Sequence, residues 1–198
     1  MTPSLTAYEL QLATDPQILI SKNLIIQKVY KLFGSVSEKY KEELADKIFD
    51  RNLIGPKISR GENYHGLPYV ILDFPRQFSK EETFAIRSFF WWGNFFSITL
   101  HLAGRYQQQY AAAIQNAINN DFFAGWYIAA TAGSQWEHHF GINNYALLSE
   151  KMQSNIEELP FLKLSKKIPL TQWDEANTFF SDNFRMLAEI LNTYAPMR

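Results

Sequence analysis

The sequence contains no cysteine. Disulfides, thiolate metal sites and a cysteine nucleophile are therefore excluded, and the absence fits a cytoplasmic protein. Charge of either sign is not in excess: Lys and Arg number 19, Asp and Glu 20, for a formal net charge of −1. Without a basic surplus to neutralise a run of phosphates, nucleic acid is an unlikely principal partner. No apolar run is long enough to span a bilayer. The amino terminus, MTPSLTAYELQLATDPQ, lacks the basic start and apolar run of a signal peptide. Internal repeats, low-complexity tracts and Gly/Ser linkers are missing as well. So are GxSxG, Walker A, GxGxxG and HExxH, and no motif indicates a cofactor.

What the chain has is apolar and aromatic bulk. Apolar residues make up 46% of it and aromatics 16%, enough for a sizeable core in one domain. The expected class is α+β: one domain over 1–198, with an antiparallel hairpin sheet of about five to six strands and helices mainly on one face. Within it, 1–14 is expected to be loosely ordered. Residues 15–50 form helices, 58–141 a sheet with one inserted helix, and 144–193 a helix–strand–helix unit.

Local signals support this outline. Asp15-Pro16 starts a helix, and Gly34 is expected to end it. Ser35 with Glu38 resembles a capping box for a second helix, striped by Val36, Tyr40, Leu44 and Ile48. Leu67–Phe74 reads as a buried strand. Gly93-Asn94 and Gly133-Ser134 read as two-residue hairpin turns, with a helix over 105–120 between them. Tyr145–Leu159 reads as a helix. Phe161–Ile168, with three lysines, reads as an exposed edge strand. Thr171 and Asp174 open a last helix whose apolar face carries Trp173, Phe180, Phe184, Leu187 and Leu191.

Hairpin register sorts the candidate residues. A two-residue turn at Gly93-Asn94 puts Phe90, Trp92, Phe95, Ser97, Thr99 and His101 on one face. The same logic at Gly133-Ser134 puts Glu137 and His139 on one face among alanines, with His138 pointing the other way. Two site hypotheses follow. The first is a binding module for a small molecule or a protein, using Phe90, Trp92, Phe95, Ser97 and Thr99, with Tyr64 and Arg60 from the glycine-flanked loop Ser59–Tyr69. The second is a hydrolase-type enzyme, metal-dependent or not, using His101, Glu137 and His139 with Asp73. A third reading makes the aromatic tip the interface of a homo-oligomer. For each candidate the ordinary alternative is a hydrogen-bonded polar residue on a partly solvated sheet face.

Overall fold

The computed structural model describes residues 3–45, 55–130, 133–151 and 156–193. A first helix, α1 (Ala7–Thr14), starts at a capping box in which Thr6 and Glu9 exchange hydrogen bonds. Asp15 then caps α2 (Pro16–Leu44), with Pro16 in its first turn, as the Asp-Pro pair predicts. The helix does not end at Gly34, and no second cap forms at Ser35. It continues because Ile26, Val29, Phe33, Val36 and Tyr40 make one uninterrupted buried stripe along it. Burial of those side chains outweighs the helix cost of a single glycine, about 1 kcal/mol. Ile48 lies outside the described residues.

The sheet begins with β1 (Lys57–Tyr64), β2 (Leu67–Phe78), β3 (Thr83–Trp91) and β4 (Phe95–Ala103). Helix α3 (Arg105–Asn119) and the short strands β5 (Tyr127–Ala129) and β6 (Tyr145–Leu147) come next. After α4 (Leu148–Lys151) and a 3₁₀ turn over Ile156–Glu158, the chain forms β7 (Phe161–Pro169). A second 3₁₀ turn, Leu170–Glu175, leads into α5 (Ala176–Thr193). All seven strands pair antiparallel in the order β1-β2-β3-β4-β7-β5-β6. Helices α2, α3 and α5 cover one face and bury Phe90, Phe96, Leu100, Leu102, Tyr110, Phe180 and Phe184 there. The molecule is thus a single α+β domain with helices on one face, as its patterning predicts.

Four local expectations are corrected. Ser59–Tyr69 is a hairpin, not a connecting loop. Tyr64 pairs with Leu67 across a two-residue turn, and both His65 (φ 49°) and Gly66 (φ 80°) take the positive φ of a type I′ turn. The strand carrying three lysines is interior, held between β4 and β5 through Ser165. Its alternation sends Leu162 and Leu164 to the helix side, where they are buried. The Gly133-Ser134 hairpin does not form: β5 pairs with β6 as Ala129 opposite Tyr145, and the chain between them leaves the sheet. Thr131 and Ala132, which that hairpin would have used, lie outside the described residues. The same pairing replaces the start of the helix expected over 145–159, because Tyr145–Leu147 completes the sheet edge. Met152, on that helix's expected stripe, is outside the described residues.

The first aromatic hairpin forms, but one residue out of the expected register. Trp91, not Trp92, lies opposite Phe95. The connection has three residues, closed by Asn94 N–H donating to the Trp91 carbonyl, with Gly93 at φ 70°. Because side chains alternate, that single step turns every β3 residue over. Phe90 and Ser88 face the helices, where Ser88 Oγ meets Tyr40 Oη at 2.9 Å. Arg87, Phe89 and Trp91 join Phe95, Ser97, Thr99 and His101 on the opposite face.

Gly34 supplies a direct check. It sits in mid-helix, and a Cβ added there meets nothing within 4 Å. Gly34→Ala is expected to stabilise the protein by about 0.5–1 kcal/mol in urea denaturation. A loss of stability would mean that α2 needs the glycine.

Candidate functional site

The face opposite the helices carries its side chains in rows across the strands. Tyr69, Trp91 and Phe95 form an aromatic row. Asp73, Arg87, Thr99 and Ser165 form a polar one. Ala85, His101 and Lys163 form a third. Such a mixture needs partners or water. Its cover is the segment between β5 and β6: Phe140 packs against the aromatic row and stacks on Tyr145 at 4.7 Å.

Tyr64, the last residue of β1, fixes that segment. Its hydroxyl accepts hydrogen bonds from the backbone N–H groups of His138 (2.7 Å) and His139 (3.0 Å) and donates to Glu137 Oε2 (2.9 Å). The ring is held edge-on by Tyr69, Phe89 and Trp91, while Trp91 Nε1 donates to the Tyr64 carbonyl at 3.2 Å. Tyr69 lies over Gly61, where any Cβ would come within 2.4 Å of the ring. Burial pushes the Tyr64 hydroxyl up to about 12, so it stays a proton donor to the carboxylate. That donation, helped by His65, holds the Glu137 carboxyl below the usual carboxylate range.

Around this hub His65, Glu137 and His139 converge. One ligand atom from each lies within 4.8 Å of the others, a grouping able to hold a metal ion. Glu137 Oε2 is 3.5 Å from His65 Nε2 and 3.8 Å from His139 Nε2. Both separations are long for hydrogen bonds. They are close to the roughly 3.3 Å between adjacent ligands of a tetrahedral zinc ion with bonds of about 2.0–2.1 Å. His65 and Glu137 remain about half exposed, so the group opens to solvent. His139 Nδ1 accepts from the Gly141 N–H at 3.1 Å. In the neutral ring the proton is then on Nε2, facing Glu137. A metal held at Nε2 would require the other tautomer, with that single proton on Nδ1, and so would break the Gly141 hydrogen bond.

The other candidates fall elsewhere. Asp73 is buried and taken by Arg87 in a bidentate pair, at 2.7 Å to Nε and 2.9 Å to Nη2. His101 Nε2 bonds Gln135 Oε1 at 2.9 Å under the cover. Burial and the neighbouring Lys163 lower its pKa to about 3, so the ring is neutral. Neither belongs to the His65 group. His138 points inward, not toward the helices. Its Nε2 accepts from Arg87 Nη1 at 3.0 Å, and burial with the Arg87 charge keeps it well below the usual imidazole range. His138 is thus engaged with Arg87 beneath the cover, while His139 faces Glu137 at the rim.

Of the binding candidates, Phe95, Ser97 and Thr99 lie buried under the chain's own cover, Thr99 bonded to Ser165 at 2.8 Å. Phe90 and Trp92 are on the helix side of the sheet. Arg60 is opposite Val70, on the strand face turned to the helices and away from Tyr64. Sequence reasoning left His65 out of both candidate sets and missed Lys163 as a buried group. His-Gly between two alternating runs was the available signal for His65, since X-Gly there marks a type I′ turn. Lys163 is fully covered, donates to the Glu137 carbonyl and has its pKa lowered to about 7 by burial, with Arg87 adding to it.

Tyr64→Phe removes the hub while keeping the ring. It leaves two backbone N–H groups and one carboxylate oxygen without their partner. The expected loss is about 1–3 kcal/mol in urea denaturation, with faster proteolytic nicking between residues 133 and 144. A variant as stable and as resistant as the parent would remove the hydroxyl from this role.

Comparison with protein-family models, with curated proteins and with solved structures finds no match for this chain, so its function is argued from the site itself.

Proposed function

We propose that the chain binds one divalent transition-metal ion of the zinc class through His65 Nε2, Glu137 Oε2 and His139 Nε2, and uses it to hydrolyse a small ester or phosphoester. The observation that carries this reading is the clustering of three ligand atoms within 4.8 Å around a carboxylate oxygen. Imidazole and carboxylate ligands suit zinc-class ions, and three protein ligands leave a position for water. Tyr64 supports the reading as well: its hydroxyl fixes the carboxylate as an outer partner orients a metal ligand.

The chemistry follows from the open position. A bound ion lowers the pKa of its water to about 7 and polarises the substrate oxygen. Held by His65, Glu137 and His139, such an ion would supply a hydroxide nucleophile for the ester carbon or phosphorus; the leaving alkoxide would take up the proton given off by that water through solvent. Asp73 and His101 take no part, since the first is consumed by Arg87 and the second by Gln135. The binding reading on the aromatic face has less support, because Trp91 and Phe95 are each only 8% exposed.

Titration with Zn²⁺ against a chromophoric chelator is expected to give one site per chain, weakened at least tenfold by His65→Ala and by His139→Ala. Zinc-loaded protein is expected to hydrolyse p-nitrophenyl acetate or bis(p-nitrophenyl) phosphate faster than metal-free protein and faster than the zinc-treated His139→Ala variant. Titration without a stoichiometric site would overturn the metal assignment. A site without metal-dependent hydrolysis would overturn the enzyme assignment alone.

A further inference from the structure

The amino-terminal helices leave the domain. Helix α1 has no buried residue, and every residue from 3 to 21 is exposed. Yet this arm is not polar. Leu5, Tyr8, Leu10, Ile18, Leu19 and Leu24 are large, apolar and solvent-facing, with Tyr8 68% and Leu19 62% exposed. The pattern is a continuation of the core. Counting back seven residues from the buried Ile26 along α2 gives Leu19, and seven from the half-buried Ile25 gives Ile18. The stripe that packs on the sheet therefore runs on beyond Lys22, which pairs with Glu62 at the end of β1, to Ile18 and Leu19, which are exposed.

At the base of the arm lies an apolar groove of about 450 Å³. It is lined by Ile25, Lys28, Phe90, Trp92, Leu170 and Trp173. Arm and groove adjoin on α2, so each supplies what the other lacks.

We infer that two copies of this chain associate by arm exchange, the apolar stripe that Ile18 and Leu19 carry at the start of α2 seating in the groove of the other copy. Two observations select a second copy as the occupant. The large apolar side chains of the arm are 39–68% exposed, surface of the kind that a homodimer interface buries; in the proposed dimer a two-fold axis crossing α2 between Leu19 and Ile25 would set each arm over the partner's groove in one closed contact. Charge is complementary too: residues 3–21 carry Glu9 and Asp15 and no Lys or Arg, and Lys22, next along, is already paired with Glu62, whereas Lys28 lines the groove and Lys31 is exposed one turn further on. The same absence of basic residues disfavours a lipid surface, which recruits cationic amphipathic helices.

Light scattering after size exclusion tests this on the full chain. At about 100 μM the protein is expected to run at twice its 23.0 kDa chain mass. Leu19→Glu on the arm and Trp92→Ala in the groove are each expected to weaken the dimer at least tenfold. Leu19 is 62% exposed and outside the core, so its variant separates association from folding. A wild-type monomer at that concentration, or a dimer indifferent to Leu19→Glu, would overturn the inference. Co-sedimentation of a monomer with phosphatidylserine-containing vesicles would assign the arm to a lipid surface and overturn it as well.

Discussion

The hydroxyl of Tyr64 is the point on which the helix-free side of the sheet depends. A sheet face bearing Arg87, His101 and Lys163 beside Phe89, Trp91 and Phe95 can be left neither wet nor dry. It is closed by an irregular segment, and irregular backbone under burial must find hydrogen-bond partners outside regular structure. For Glu137–His139 those partners are side chains. Lys163 takes the Glu137 carbonyl, Tyr64 takes the His138 and His139 N–H groups, and Asn144 takes the His139 carbonyl. One hydroxyl thus serves two amides and one carboxylate at once, using all of its hydrogen-bonding capacity.

This arrangement links the fold to the candidate chemistry. The two-residue turn after β1 carries His65 into the space where the covering segment delivers Glu137 and His139. The buried network below is satisfied within itself: Asp73 with Arg87, Arg87 with His138, Thr99 with Ser165, His101 with Gln135. Groups so engaged serve as scaffold. The three that meet at the rim are less committed, with one ligand atom of each within 4.8 Å of the others. Separating inner scaffold from outer cluster is what a layered sheet face allows, since its rows sit at successive depths below the cover.

Much of the architecture was legible in the sequence. Apolar spacing located α2, α3 and α5, and alternation located β2, β3 and β4. The class follows from those elements and from the hairpins between them. Where reading failed, non-local pairing or a single-residue step was responsible. Gly34 is absorbed into α2 by a stripe that only the sheet can reward. Tyr145–Leu147 is a strand because Tyr127–Ala129 lies beside it, although its own spacing is helical. Lys163 lies in the interior because β7 is held between β4 and β5 and the Glu137 segment covers it. At the aromatic hairpin one extra turn residue reversed β3 but left β4 as expected, so Ser97, Thr99 and His101 were grouped correctly while Phe90 and Trp92 were not. Glu137 and His139 were paired for the wrong reason: no hairpin aligns them, and a tyrosine hydroxyl does. His65 escaped notice because its segment looked like a polar connection.

The central claim is that Tyr64 holds the Glu137–His139 segment against the sheet as part of the folded core. Amide hydrogen exchange at His138 and His139 tests it most directly. Both N–H groups are bonded to the half-buried Tyr64 hydroxyl, so they are predicted to exchange far more slowly than the amides of an undocked loop. Exchange at the rate of an unprotected loop would show the segment to be undocked and would contradict the account.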